Sequence, residues 1–369
     1  HNQPCFRKGA DFIMEYSFST REKNGSICLI LSYKVNSKWK QKTKQGFKTL
    51  REAKQYQDKL LAAAKEDAVT NCDPELSNIT LHDFTEKIFL RDRRQSIEYR
   101  TRLSYTNAVK TFSTLKDKPL KDITMTDIMD GYNRLSRLKV STRNLHLGRL
   151  STIFKYAVRP YQIISDNPVN NITPERDKSV KRIKAFTKAE MLQLFDFLSD
   201  DPLIYTMVVT AGNTGMRYSE IAGLTWDCVD LFNQAITINK QWGMRKDGTI
   251  GFKPVKSINS NRTIHLTTFL TKTLNTWKLT QPISLDGRVF PVSESVHYKI
   301  IYKIRLFKHG MNIHSLRHTF ATLMLSETED VNLVAALLGD TVTTVIKTYI
   351  HYTDDIRKKA DQYIEAALK

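Results

Sequence analysis

The stretch HSLRHTFATLML, residues 314–325, places three side chains that resist burial at the start of an apolar helix. His314 and Arg317 are three residues apart, so both lie on one helix face beside the free N–H groups and positive potential of the helix N-terminus. Two cationic groups side by side repel each other unless an anion lies between them. The pattern therefore indicates a phosphate site, although this short motif taken alone is more typical of a structural role.

The composition favours a polyanionic partner. The chain has 369 residues and a formal net charge of +19, which predicts nucleic acid before an anionic membrane surface. No apolar run approaches the length of a spanning helix, and we expect neither a signal peptide nor a membrane partner. The four scattered cysteines form no C-x-x-C pair, so neither a zinc site nor a disulfide is predicted, and a reducing cytosol is expected.

Residues 1–70 have the pattern of a small β-rich module. FIMEYSFST, SICLILSYKV and KWKQKTKQGF predict three strands, KNGS a hairpin turn, and residues 50–67 a helix. The basic hairpin is either a solvated, charged surface or a DNA-contacting face, which the interleaved Tyr33, Trp39 and Phe47 favour. Its candidate DNA contacts are Lys34, Lys38, Lys40, Lys42 and Lys44.

The next segment, residues 79–173, is helical in pattern and lies between polar linkers at 70–78 and 173–186. It is the most basic part of the chain, with 21 Lys and Arg against 11 Asp and Glu over 79–183. A basic helical bundle suits a clamp on the DNA backbone. Arg143 and Arg149, on a helix predicted over 141–158, are candidate DNA contacts.

Residues 184–369 form the third predicted domain, which is helical except for strands over 235–266, where β-branched residues alternate with lysines and turn residues. The fold class is therefore mainly α with small β-sheets, in three domains: a three-stranded sheet with a helix, a helical bundle, and a mixed α/β domain. An amphipathic helix over 353–369 ends the chain and docks either on its own domain or, as we favour, on a neighbouring protomer.

Two more polar clusters belong to this third domain. In TGMRYSEIAGLTW, residues 214–226, Arg217 stands among apolar residues and needs an anion, either a phosphate or the carboxylate of Glu220. In TYIHYT, residues 348–353, Tyr349 is a poor nucleophile unless nearby positive charge stabilises its phenolate. These clusters gain chemical meaning only if they converge on one phosphate.

Together, the three clusters, in this order and spacing, resemble the active-site boxes of the tyrosine recombinase (phage integrase) family, and the upstream order resembles integrases with an arm-binding domain. The resemblance implies that Tyr349 is the nucleophile and Lys256, with Lys253 as the fallback, the general acid. It further implies that Glu220 orients Arg217 or a neighbour and that His318 supports its helix. The implied catalytic set is Arg217, Lys256, His314, Arg317 and Tyr349.

One position departs from the family pattern. The family usually carries His or Trp after LLG, whereas this chain has Asp340. An ionised carboxylate accepts but does not donate hydrogen bonds, and it repels a phosphate. We expect Asp340 either to turn away and hold a neighbour such as His351 or an arginine, or to reach the site through water.

The resemblance also implies a mechanism and partners. DNA would be cut through a 3′-phosphotyrosine intermediate, without metal or cofactor, by a homotetramer holding core and arm sites in a bacterial cytoplasm. An accessory excision factor is expected, and the DNA would belong to a phage or conjugative transposon. The alternatives are a topoisomerase IB-like nicking-closing enzyme and a catalytically degenerate DNA-binding regulator.

Overall fold

The computed structural model describes residues 15–23, 25–35, 38–69, 74–178, 183–281 and 284–349. The chain divides into two compact units, residues 1–178 and 179–369. The predicted fold class is confirmed, because helices dominate and the sheets are small. The predicted helix over 353–369 lies outside the described residues.

The first part of unit 1 is an antiparallel sheet with strand order β1-β2-β3. Its strands are β1 (Tyr16–Lys23), β2 (Ser26–Val35) and β3 (Lys38–Phe47), followed by α1 (Leu50–Gln55) and α2 (Gln57–Val69). The single helix predicted over 50–67 is therefore observed as two helices that meet at Tyr56. One face of the sheet buries Leu29, Leu31 and Tyr33 together with helix residues.

The rest of unit 1 is helical and has a separate hydrophobic cluster. A capping box between Thr124 and Asp127 starts α6, as the sequence predicts. The elements are a 3-10 turn (Pro74–Leu76), α3 (Leu81–Asp83), a π turn (Phe84–Phe89), α4 (Leu90–Asp92), α5 (Tyr99–Thr111), a 3-10 turn (Leu120–Asp122), α6 (Met125–Arg134) and α7 (Val140–Val158).

Unit 2 combines eight described helices with two small sheets. The helices are α8 (Lys188–Phe197), α9 (Pro202–Thr214), α10 (Tyr218–Ala222), α11 (Thr268–Thr280), α12 (Glu294–Phe307), α13 (Ile313–Thr328), α14 (Val331–Leu338) and α15 (Val342–Tyr349). The predicted strand region over 235–266 is confirmed, but it contributes to two sheets. One sheet has order β4 (Val229–Asp230), β5 (Ala235–Ile238), β8 (Arg262–His265), and the other is the hairpin of β6 (Lys240–Met244) and β7 (Ile250–Pro254).

Helix α9 lies at the centre of unit 2, where Met207, Val208 and Val209 are buried in the main hydrophobic cluster. A smaller cluster joins α13, α14 and α15 and includes Tyr349. In the described part of the chain, no single helix is long and apolar enough to cross a membrane, although α14 and α15, bent by 107°, pass that test as a pair by length and composition.

Candidate active site

Arg217 leads from the end of α9 into α10. Gly215 ends α9 in the left-handed region, at φ +64°, where a Cβ would lie 2.6 Å from the Phe320 ring, so glycine is required. Two residues later, Arg217 occupies the N-cap position of α10 and donates from Nη1 to Glu220 Oε1 at 2.6 Å. The predicted Arg217–Glu220 pair is therefore present.

Glu220 is only 2% exposed and serves a second arginine. Its Oε2 accepts from the Arg217 backbone N–H and from Arg262 Nη2, both at 3.0 Å. Burial acts to raise the pKa of Glu220, but the charges of Arg262 and Arg217 outweigh it and lower that pKa. Glu220 therefore remains an anion that orients both guanidinium groups.

Two of the three described hydrogen bonds of the Arg317 side chain go to main-chain carbonyls. The side chain of Asn312 caps α13, whose first turns carry His314 and Arg317 as predicted. Arg317 is 3% exposed; it donates from Nη1 to the Gly215 carbonyl at 2.7 Å and from Nη2 to the Leu338 carbonyl at 2.9 Å. These contacts fix the guanidinium plane between α9 and α14.

Asp340 joins the two predicted arginines. Its Oδ1 accepts from Arg217 Nη2 at 2.5 Å and its Oδ2 from Arg317 Nη2 at 2.6 Å. The two guanidinium groups, which together form the arginine clamp, thus converge on a single anion. This agrees with the alternative that Asp340 holds an arginine. His351, the other neighbour considered for Asp340, lies outside the described residues.

The two histidines of α13 lie one turn apart, with ring centroids 4.9 Å from each other. Partial burial and the charges of Arg317 and Arg217 lower the pKa of His314, while Asp340 opposes that shift. Burial, followed by His314 and Arg317, lowers the pKa of His318 to about 4. His318 is therefore neutral near pH 7.

Tyr349 contacts His318 directly. The hydroxyl Oη of Tyr349 lies 2.8 Å from Nδ1 of His318, and the tyrosine is 3% exposed. The sequence interpretation gave His318 only a supporting role for its helix, whereas the structure also places its ring against the predicted nucleophile. The His318 ring therefore lies between the ring of His314, 4.9 Å away, and the phenol of Tyr349.

The predicted general acid lies near the same clamp. Lys256 follows β7 and is exposed, while Lys253, within β7, reaches the Met244 carbonyl at 3.5 Å. The next residue after Lys256, Ser257, shares a hydrogen bond of 3.0 Å with Ser260, whose hydroxyl is 3.5 Å from Arg217 Nη1. This short connection favours Lys256, although both lysines stay candidates.

Sequence reasoning missed Arg262 and Ser260 as members of the site. Arg262 is nearly buried; it donates from Nε to the Leu337 carbonyl at 2.7 Å and from Nη1 to the Ser260 carbonyl at 3.0 Å. The signal was present in KSINSNRTIHL, residues 256–266, the stretch that begins with Lys256 and contains Arg262. Arg262 is the arginine of a short strand, β8, whose other members are Thr263, Ile264 and His265. A charged side chain in such a strand needs a partner of opposite charge when it is buried, and Glu220 is that partner.

The predicted DNA-contacting lysines of the N-terminal sheet do not share one face. Lys42 pairs with buried Leu31 and donates to the Ala63 carbonyl of α2 at 2.6 Å. Since paired residues share a face, the even-numbered lysines of β3 lie on the side that packs against helices. These are Lys40, Lys42 and Lys44, while the side chain of Lys38 lies outside the described part of the chain.

The open face of that sheet has a different composition. Lys34 pairs with Trp39 across β2 and β3, its ammonium is 6.0 Å from the Trp39 ring, and it forms a 2.9 Å ion pair with Glu15. Trp39 is 58% exposed, whereas Tyr33 is buried and Phe47 packs on the core. Trp39 is therefore the aromatic residue of the predicted three that faces solvent.

The two predicted DNA contacts on α7 are both engaged within unit 1. Arg143 is 9% exposed, donates to Glu175 Oε2 at 2.6 Å and lies 5.1 Å from the Tyr132 ring. Arg149 donates from Nε to the hydroxyl of Ser104 at 3.2 Å and stacks over Tyr105. Arg143 thus holds the start of the 173–186 linker on the helical bundle.

Comparison with known families agrees with this geometry. Residues 184–355 match the phage integrase family, and residues 19–64 match an arm DNA-binding domain. Residues 184–355 therefore belong to the phage integrase family, the tyrosine recombinases, and residues 19–64 to an arm DNA-binding domain. The chain is a site-specific DNA recombinase.

Its relatives include integrases of mobile elements. The ICEBs1 integrase of Bacillus subtilis strain 168 is 26% identical over 266 residues, which cover 66% of this chain and 71% of that protein. A tyrosine recombinase of Pseudothermotoga lettingae is 25% identical, covering 69% of this chain and 88% of the relative.

Solved structures show the same fold. The Tn1549 transposon integrase, in complex with a circular intermediate DNA, has a TM-score of 0.64 at 18% identity and covers 77% of this chain and 99% of its own. A lambda integrase dimer bound to a COC′ core site has a TM-score of 0.57 at 20% identity and covers 92% of this chain and 94% of its own.

Proposed function

We propose that this recombinase integrates and excises a mobile element by cutting and rejoining double-stranded DNA through a 3′-phosphotyrosine. The observation that carries the proposal is the convergence of Arg217 and Arg317 on one carboxylate, each within 2.6 Å of an oxygen. Two forked donors that share one anion match the non-bridging oxygens of a phosphodiester. The family and its relatives are recombinases, which favours strand exchange over the two alternatives.

In the proposed cleavage, the Oη of Tyr349 bonds to phosphorus and the bond from phosphorus to the 5′-oxygen breaks. Arg217, Arg317 and His314 stabilise the charge that develops on the non-bridging oxygens. His318, neutral and in contact with Tyr349, accepts the phenol proton, and Lys256 protonates the leaving 5′-oxygen. The 5′-hydroxyl of a partner strand then reverses these steps, so the bond energy is conserved.

Tyr349 must become accessible before this reaction. At 3% exposure, the phenol cannot meet a DNA phosphate where the structure places it. The proposal therefore includes a movement of α15, when DNA and neighbouring protomers assemble, that exposes the phenol and keeps it within reach of His318. In the described residues, α15 follows α14 after a turn of three residues, 339–341.

We further propose that the N-terminal sheet binds the arm site with its open face. That face presents polar and basic side chains around Trp39, which suits contacts to base edges and sugars. The lysines at even positions of β3 lie along the helix-packed side, where exposed Lys40 and Lys44 suit contacts to flanking phosphates. The module therefore combines contacts to DNA bases on its open face with electrostatic attraction to the DNA phosphates.

The proposal extends to assembly. A lambda integrase tetramer bound to a Holliday junction, with a TM-score of 0.53, has the same fold, which supports a tetramer on DNA here. The segment 353–369 would dock on a neighbouring protomer, an accessory factor would favour excision, and the reaction would take place in the bacterial cytoplasm, where the host DNA lies. Core and arm attachment sites would be the DNA partners.

A nicked suicide duplex built from DNA flanking the element tests the chemistry. The full chain should form a covalent adduct that disappears in Tyr349→Phe and persists in the matched control Tyr352→Phe. An adduct that persists in Tyr349→Phe but disappears in Tyr352→Phe would identify Tyr352 as the nucleophile. Relaxation of a plasmid that lacks attachment sites, at a rate equal to that of adduct formation, would favour the topoisomerase-like alternative.

A further inference from the structure

Asp340 reaches the arginines because of the turn that precedes it. Gly339 ends α14 in the left-handed region, at φ +64°, and a Cβ there would lie 2.8 Å from the Asn259 carbonyl oxygen. The backbone N–H of Asp340 then donates to the Ala335 carbonyl at 3.0 Å. This tight helix end turns the carboxylate toward the clamp rather than toward solvent.

The carboxylate fills the position of a bridging anion. Each of its oxygens accepts from a different guanidinium, and the side chain of Arg317 is 4% exposed, against 23% for Arg217. The other donors of Arg317 with described partners are directed at main-chain carbonyls, which cannot leave without unfolding α9 or α14. A phosphate that binds both arginines must therefore take the place of Asp340.

The charge of the site leads to the same conclusion. Three arginines, Arg217, Arg262 and Arg317, face two carboxylates, Glu220 and Asp340, within this hydrogen-bonded network. Glu220 is buried on the far side, between Arg217 and Arg262, and cannot be displaced by DNA. Removing Asp340 from the clamp leaves a net positive site that is ready for an anion.

We propose that Asp340 is a positioning residue that stands in for the scissile phosphate, holds Arg217 and Arg317 in clamp geometry, and is displaced by the arriving phosphodiester. The inference rests on the proposed function, because it assigns the phosphate of that reaction to this position. Asp340 and Tyr349 belong to the same segment, joined through α15 (Val342–Tyr349). Withdrawal of the carboxylate and exposure of the phenol are thus movements of one element.

Inorganic phosphate tests the displacement without any DNA chemistry. Titration of the full-length chain should show that Asp340→Asn binds phosphate about tenfold more tightly than the wild type, since no anion has to be expelled. Asp340→His, which adds a donor, should bind at least as tightly as Asp340→Asn. Glu327→Gln, an exposed site on α13 with the same change in charge, is the matched control and should leave phosphate affinity unchanged.

Equal or weaker phosphate binding by both Asp340 variants, with cooperative unfolding retained, would overturn the inference and make Asp340 a purely structural support. The suicide duplex supplies the second readout: Asp340→Asn should lower the DNA concentration for half-maximal cleavage by about tenfold. Tighter phosphate binding without an adduct in any variant would sustain the displacement while refuting the proposed recombination. A Tyr349-dependent adduct without tighter phosphate binding would support the proposed recombination and refute the displacement of Asp340.

Discussion

Replacing Glu220 by Gln should destabilise unit 2 strongly, because this buried carboxylate holds two arginines, Arg262, which is nearly buried, and Arg217, which is partly exposed. It accepts from Arg217 Nη1 at 2.6 Å, from Arg262 Nη2 at 3.0 Å and from a backbone N–H at 3.0 Å. A glutamine keeps one acceptor oxygen but directs an NH₂ group at the other guanidinium. Hydrogen bonds to charged groups contribute about 1.5–3 kcal/mol each, and breaking a buried ion pair costs about 3–5 kcal/mol. We expect a loss of about 3–4 kcal/mol in the free energy of unfolding.

Urea unfolding followed by tryptophan fluorescence measures this loss, since three of the four tryptophans, Trp226, Trp242 and Trp277, lie in unit 2. Glu327→Gln, the exposed control, should change the free energy of unfolding by less than about 0.5 kcal/mol. A loss below about 1 kcal/mol in Glu220→Gln would refute the claim that this carboxylate organises the clamp.

The pH dependence of Glu220→Gln has a defined sign. The charges of Arg262 and Arg217 outweigh burial and lower the pKa of Glu220 below its ordinary value of 4.5 in the folded chain. Its stabilisation is therefore fully present above pH 4.5 and is lost as the pH falls through the lowered folded value. The difference between wild type and variant should shrink only in that acidic range, and a constant difference from pH 7 to pH 3 would contradict the assignment.

Three further changes have defined outcomes. The pKa of His318 is about 4 in the folded chain, below its ordinary value of 6.5, so the stabilisation from the neutral imidazole is present above pH 6.5 and is lost toward pH 4. His318→Asn should remove a pH dependence of up to about 3 kcal/mol from the free energy of unfolding in urea. An unchanged slope of that free energy against pH would contradict this. Gly339→Ala should lower the free energy of unfolding by about 1–3 kcal/mol. This loss should exceed that of Gly25→Ala, because Gly25 has a similar φ of +69° but nothing within 4 Å of an added Cβ. Equal losses would exclude a clash between the new Cβ and the Asn259 carbonyl oxygen. Trp39→Ala should weaken arm-site binding roughly thirtyfold in an electrophoretic shift assay while leaving core-site cleavage intact, and unaltered arm binding would remove the open face from the interface.

The sequence predicts the elements well where local rules decide them. The capping boxes at Thr124 and Thr187, the helix that starts at Ile313 and the strands β2 and β3 follow from side chains that act on neighbouring backbone. These features need no information about distant parts of the chain. The strand region over 235–266 was predicted as one small sheet, because local patterns do not specify which strands pair.

The face of each strand required the tertiary structure. Alternation separates even from odd positions in β3, but it does not say which set faces the helices. The rich lysine content suggested a solvent face, whereas the pairing of Lys42 with Leu31 places that set on the helix side. Long lysine side chains tolerate this position because the stem packs while the ammonium reaches a carbonyl or water, as Lys42 does at Ala63.

The candidate active-site residues could be proposed from the sequence as a set, but their contacts could not. Arg217, His314, Arg317 and Tyr349 were identified by motif, while Arg262 and the bridging role of Asp340 depend on segments far apart in sequence. A contact between residues 217 and 340 spans 123 positions and leaves no local pattern. Only the unusual acidic residue after LLG marked the place.

The α15 helix (Val342–Tyr349) also fixes the direction of the Tyr349 side chain relative to Asp340. An α-helix advances by about 100° for each residue, so one inserted or deleted residue between 340 and 349 would rotate the phenol to a different side of the segment. No side-chain substitution compensates for such a change of phase. The number of residues between Asp340 and the proposed nucleophile, Tyr349, is therefore fixed by helical geometry.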